Sequence, residues 1–208
     1  MKEAVPKQFL LLGGEPVIMH TIRQFATLCE QIIVALPEAY LFPFWEDLQK
    51  KHRFCVAHTP IAGGETRFES VKHALERVSA EGLVAIHDAV RPFASKHLIE
   101  RCFDEAEQWG NAVASLPVAE SLRMREGNGS KSVDRSRFYR IQTPQVFRCS
   151  EIKAAYSQAY CAHFTDDATV LEAQGGRIHL VEGEERNMKI TTPTDRLLAT
   201  EWIKIGNE

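Results

Sequence analysis

Two lysines far apart in this sequence carry the first hint of chemistry: Lys7 in Pro6-Lys7-Gln8, and Lys189 in the stretch VEGEERNMKITTPTD. A lysine on a turn held by proline is a compact point charge. Phosphoryl and nucleotidyl transfer build negative charge that such a cation stabilises. Two lysines at opposite ends of one cleft would clamp a triphosphate, although an ordinary exposed lysine explains each one taken singly. Three further clusters offer partners. In AGGETRFES (62–70), Gly63 and Gly64 let the backbone approach a ligand, and Arg67 and Ser70 lie on the first turns of a following helix. In IHDAVRPF (86–93), Asp88 ends an apolar strand and Arg91 follows it. Asp88 could hold a sugar hydroxyl or a hydrated magnesium ion, or simply pair with Arg91 to close the turn. In SVDRSRFYRIQTPQVF (132–147), Arg135, Arg137 and Arg140 alternate with apolar residues. On an extended arm they would present cations on one side or form a solvated face.

Ligands of open parallel sheets bind outside the carboxyl ends of the strands, so these clusters need strands that end at them. Continuous apolar runs at 31–37, 54–60, 83–90, 112–118 and 178–183 suit parallel strands covered on both faces. Between them, helical spacing is present at about 16–29, 39–51, 67–79, 96–108, 150–161, 166–174 and 193–204. Phe68, Val71, Ala74, Leu75 and Val78 recur at three and four, which gives one helix a face to pack on the sheet. Thr165, followed by Asp166 and Asp167, supplies an N-cap, and Pro193 suits a first helical turn. The alternation predicts an α/β fold: a Rossmann-like, doubly wound, mostly parallel sheet in a single domain over 1–208. From Glu120 to Phe147 it breaks. Polar text, a Gly127-Asn128-Gly129 tip and basic flanks predict a β-arm at about 120–145 projecting from the sheet.

Composition narrows the class of function. The 208 residues, 44% hydrophobic and 25% charged, suffice for one core. A net charge of -3 argues against a nucleic-acid partner, so an anionic ligand must be held by local placement of charge. No apolar run approaches the roughly 18 residues of a membrane span, and the opening lacks the pattern of a secretory signal. Five cysteines without a CxxC pair (Cys29, Cys55, Cys102, Cys149, Cys161) read as reduced thiols of a cytoplasmic chain.

Taken in order, PKQFLLLGGEPVIMHTI, GGETRFESV, IHDAVRPF, LPVAESL, VDRSRFYRIQTPQVF, TDDATVLEAQG and VEGEERNMKITTPTD resemble the sugar alcohol phosphate cytidylyltransferases over nearly the whole chain. The nearest likeness is to those of the non-mevalonate isoprenoid route, which act on 2-C-methyl-D-erythritol 4-phosphate. The resemblance implies a nucleotidyltransferase domain that joins CTP and a polyol phosphate with the aid of Mg²⁺ and releases pyrophosphate. It makes Lys7 and Lys189 catalytic. Gly63, Gly64, Glu65, Arg67 and Ser70 fall on the family's cytidine loop, with Glu65 where aspartate is usual. Asp88 and Arg91 match the element that holds ribose or substrate groups near the metal. Ser121 stands in place of a threonine, Arg135 and Thr143 match positions that hold the alcohol phosphate, and Thr165 and Asp166 line the same pocket.

The family's arm reaches into a neighbouring subunit, which implies a homodimer joined through 120–145. Its pattern opens on an apolar strand and a glycine-rich turn ending in Arg-Met. Met1 falls where that methionine stands, so the resemblance implies a strand and a triphosphate-cradling turn ahead of it. A ribitol 5-phosphate cytidylyltransferase and a non-catalytic nucleotide-binding subunit remain as alternatives on sequence alone.

Overall fold

Helices and strands alternate through most of the chain, and the exceptions locate the site. The computed structural model describes residues 5–205, so Met1 and the expectation attached to it lie outside the described residues. Strands β1 (Leu11–Leu12) and β2 (Glu15–Pro16) form a tight hairpin through Gly13 and Gly14, whose φ values of 61° and 89° suit glycine. Helix α1 (Val17–Phe25) follows, then β3 (Ile33–Leu36), α2 (Phe44–His52), β4 (Thr59–Ala62), α3 (Arg67–Leu75), β5 (Leu83–Ile86) and α4 (Lys96–Trp109). The second half runs β6 (Asn111–Pro117), β7 (Arg123–Glu126), β8 (Gly129–Ser132), β9 (Tyr139–Arg148), α5 (Cys149–Ala155), α6 (Asp167–Glu172), β10 (Leu180–Glu182) and α7 (Pro193–Ile205).

The main sheet has the order β10-β6-β9-β5. β10 and β6 are parallel, and β9 runs antiparallel to both β6 and β5, so the other three strands share one direction. β3 and β4 pair in parallel as a separate two-stranded sheet. Among the described residues, β3 and β5 each keep one edge without a strand partner.

Period-two alternation divides the core. Val113 and Phe147 face Phe68, Ile152, Tyr156 and Leu171, contributed by α3, the α5 region and α6. Their neighbours Ala112, Ala114 and Val146 face Leu98, Ile99 and Cys102 of α4. Both faces are therefore covered, which is why β6 is buried from Asn111 to Leu116 and the winding is double. The fully buried Phe147 alone would cost about 3–5 kcal/mol if cut back to alanine.

Several expectations shift. The strand expected at 54–60 begins at Thr59, because Phe54 and partly buried Val56 are drawn into a cluster around buried Trp45, whose indole donates to His58. The helix expected from 39 starts at Phe44, after a 3₁₀ turn over Glu38–Tyr40. The helix expected from 16 stops at Phe25, and that expected from 150 stops at Ala155. The cap of α6 is Asp166, one residue beyond Thr165, with its side chain accepting from the Thr169 amide at 2.9 Å.

The 120–145 stretch divides in two. β7 and β8 form an exposed hairpin, whereas β9 inserts between β5 and β6, with Gln142 to Phe147 all buried. The basic residues at the start of β9 disguise a strand whose second half belongs to the core.

Candidate active site

The antiparallel insertion of β9 brings distant side chains together at the carboxyl end of β5. A cavity of about 260 Å³ opens there, lined by Asp88 and Arg91 after β5, Ile141, Gln142, Thr143 and Gln145 of β9, and Arg67, Thr165, Asp166 and Lys189. Asp88 is its electrostatic centre. Its Oδ2 lies 3.0 Å from Lys189 Nζ and accepts from Arg91 Nε at 3.1 Å, and its Oδ1 lies 3.8 Å from Arg67 Nε. Burial opposes its charge, but Lys189, Arg67 and Arg91 together hold the carboxyl below its ordinary value.

The turn that carries Asp88 is fixed from three sides. The Asp88 amide donates to Thr143 Oγ1 at 3.0 Å, the His87 Nε2–H donates to the Arg91 carbonyl at 3.0 Å, and Arg91 Nη1 donates to the Asn187 carbonyl at 2.8 Å. His87 Nδ1 is sealed from solvent without a partner. Burial pushes this imidazole down to about 4.

Lys189 is aimed by its neighbours. Asn187 is fully buried and its amide donates to Gln142 Oε1 at 3.2 Å and to the Thr143 carbonyl at 2.8 Å. On the other side, buried Ile190 donates its amide to the Val90 carbonyl at 2.9 Å. Helix α7 then opens at Pro193 as expected, with Asp195 Oδ2 accepting from the Thr191 and Thr192 amides.

Arg67 is anchored from behind. Both of its Nη groups donate to the fully buried Asp167, at 2.8 and 2.5 Å, and the Tyr156 hydroxyl donates to the same carboxylate at 2.5 Å. Although burial opposes it, Asp167 raises the Arg67 pKa further; burial and then Asp167 raise that of Tyr156. The helix that begins at Arg67 is closed by a capping box between Thr66 and Glu69. Ser70 Oγ accepts from the Gly64 amide at 3.0 Å and donates to the Thr66 carbonyl, so the 62–70 loop is folded on itself.

Arg67, Asp88, Arg91, Thr143, Thr165, Asp166 and Lys189, all named from the sequence, line one cavity. The oxygens of Asp166 are committed to the helix cap and to Gln145 Nε2, at 2.8 Å. Lys7 is exposed in a 3₁₀ turn over Lys7–Phe9 and is not among the lining residues. Gly63, Gly64 and Glu65 of the adjacent loop, and Ser70 in the first turn of α3, lie outside the lining. Exposed Ser121 and Arg135 also lie outside it, with the Arg135 guanidinium donating to the Ala119 carbonyl. Sequence reasoning missed Asp167, Tyr156, Gln142, Gln145 and Asn187. Of these, only Asp167, in its Thr-Asp-Asp run, carried a local signal.

An α/β sheet with three cations gathered at a strand's carboxyl end is an arrangement suited to a phosphate-bearing ligand, as in nucleotidyltransferases. A family model for 2-C-methyl-D-erythritol 4-phosphate cytidylyltransferase (IspD) matches residues 1–204. A protein of that name from Bacteroides thetaiotaomicron is 46% identical, covering 100% of this chain and 92% of its own length. One from Syntrophus aciditrophicus is 34% identical, over 98% of this chain and 90% of its own. The crystal structure of the enzyme of that name from Thermus thermophilus superposes with a TM-score of 0.81 at 33% identity, covering 96% of this chain and 94% of the other. The chain belongs to this family and is a cytidylyltransferase. Among the described residues no helix is long and apolar enough to cross a membrane.

Proposed function

We propose that the chain transfers CMP from CTP to 2-C-methyl-D-erythritol 4-phosphate. A phosphate oxygen of the alcohol attacks the α-phosphorus of CTP, the bond to the bridging oxygen breaks, and pyrophosphate leaves. The observation that carries this reading is the convergence of Lys189, Arg91 and Arg67 on Asp88 within one cavity. Such chemistry asks the protein for position and positive charge more than for a covalent intermediate. Arg91 and Lys189 have a carboxylate between them that a phosphate can replace as counter-ion, and Thr143 and Thr165 offer hydroxyls to the same group. Lys7 and the 62–70 loop would meet the nucleotide at the margin of the cavity.

The donor set fits Mg²⁺ in one way. Among the described residues no cluster of three or more metal-ligating side chains exists, but Mg²⁺ is commonly held by one or two carboxylates and substrate phosphates. Asp88 is the residue that would hold it, and the ion would neutralise phosphate charge. A homodimer is part of the proposal. The β7–β8 hairpin is exposed throughout, and Met124, Phe138 and Tyr139 are 51%, 44% and 48% accessible, which suits a second copy of this chain placed to receive Arg135.

The test is CTP-dependent pyrophosphate release with methylerythritol phosphate and with ribitol 5-phosphate, on enzyme sized in the assay buffer. Preference for the branched substrate in a dimer is expected. Preference for ribitol phosphate, or full activity in a stable monomer, overturns the corresponding part. Replacing Lys189 or Lys7 by alanine should lower kcat by about 100-fold or more; an unchanged kcat rejects the role of that lysine.

A further inference from the structure

Among the described residues lining the cavity, Ile141 is the only one with a wholly apolar side chain; the rest are charged groups, amides and threonines. Its exposure does not serve the core, since it belongs to none of the buried clusters and is 40% accessible. Between Ile141 and Gln145, β9 carries two residues more than β6 does opposite them, and this irregular span brings the consecutive residues Ile141, Gln142 and Thr143 to the same cavity. Gln142, between the other two, donates to the Glu184 carbonyl at 2.8 Å. Ile141 therefore stands up the strand from the point where Thr143, Asp88, Arg91 and Lys189 gather.

On the reaction proposed above, the acceptor alcohol has one apolar substituent, the methyl on C2, two carbons from the phosphorylated C4. With a phosphate seated at Arg91 and Lys189, Ile141 would be the apolar group of the described lining available to that methyl. We propose that Ile141 is a specificity-determining residue: its side chain meets the C2 methyl and favours the branched alcohol phosphate over unbranched ones. A single methyl or methylene in an apolar pocket discriminates by about 10-fold to 200-fold. The half-open setting of Ile141 puts the effect near the lower end.

The test compares kcat/KM for 2-C-methyl-D-erythritol 4-phosphate and D-erythritol 4-phosphate, which differ by that methyl alone, in wild type, Ile141→Thr and Ile141→Val. Threonine keeps β-branching and strand preference at an exposed position, and a thermal melt confirms folding. The ratio of the two kcat/KM values should fall about 10-fold in Ile141→Thr. Ile141→Val, which stays apolar, should restore most of it. An unchanged ratio, with both substrates weakened equally or not at all, overturns the proposal while leaving the proposed reaction intact. If wild-type enzyme uses neither substrate with CTP, the reaction itself is wrong and the role of Ile141 falls with it.

Discussion

Replacing Asp167 by asparagine isolates the support behind the site wall. Asp167 is fully buried and accepts three hydrogen bonds, two from Arg67 at 2.8 and 2.5 Å and one from the Tyr156 hydroxyl at 2.5 Å. Asparagine keeps the shape and one acceptor, but it turns an N–H₂ toward donors and removes the counter-ion. A lost hydrogen bond to a charged group costs about 1.5–3 kcal/mol. Breaking a sealed ion pair costs roughly 3–5 kcal/mol, but the Arg67 side chain is 37% accessible and can turn to water, so the penalty stays below that range. The balance is about 2–3 kcal/mol. At about 2–4 °C per kcal/mol for a chain of this size, Tm should fall by about 4–12 °C in calorimetry. A released Arg67 would also crowd Asp88, its other carboxylate neighbour at 3.8 Å, and raise KM in the pyrophosphate-release assay. Tyr156→Phe removes one donor only and should cost less, and the double variant should show coupling because both act on one carboxylate. If Asp167→Asn melts within about 1 °C of wild type with an unaltered KM, the anchoring role is refuted.

Two further outcomes follow from the geometry. His87 is held down at about 4, below its ordinary 6.5, so the unfolded chain takes up the proton first. Stability from this group is full above pH about 6.5 and lost as pH falls through about 4, by up to about 3 kcal/mol. Urea midpoints should drop less on acidification in His87→Gln than in wild type, and parallel pH curves would refute the assignment. At Gly64, an added Cβ would lie 2.2 Å from Glu69 Cβ, so Gly64→Ala must distort the capping box of α3 and cost about 1–3 kcal/mol. An unshifted denaturation midpoint would show that the loop yields freely.

Much of the fold was legible because continuous apolar runs report strands covered on both faces. Of the residues lining the cavity, Asp88, Arg91 and Lys189 could be singled out because charge fell at segment ends, whereas Thr143 and Thr165 entered only through the family resemblance. β9 was obscured by Arg135, Arg137 and Arg140, whose charge reflects the exposed approach to the sheet and says little of the buried half. The capping box of α3 was written locally as Thr66-Arg67-Phe68-Glu69 and could have been read. Gln142, Gln145 and Asn187 could not, since a buried amide has no periodic signature and its partners here lie 21–45 residues away. The anchoring of Arg67 was likewise hidden, because its counter-ion stands 100 positions along the chain.

The antiparallel course of β9 sets how variants of this enzyme will combine. Within four residues, Gln142 grips the loop that aims Lys189, Thr143 receives the Asp88 amide, and Gln145 braces both Asp166 and the Ala168 amide at the start of α6. Changes in three walls of the cavity therefore report to one short span of backbone. Their effects should depart from additivity even across the cavity, beyond what separation alone would allow. Directed evolution of substrate range would then advance faster through paired changes on and beside this span than through the sum of separately chosen ones.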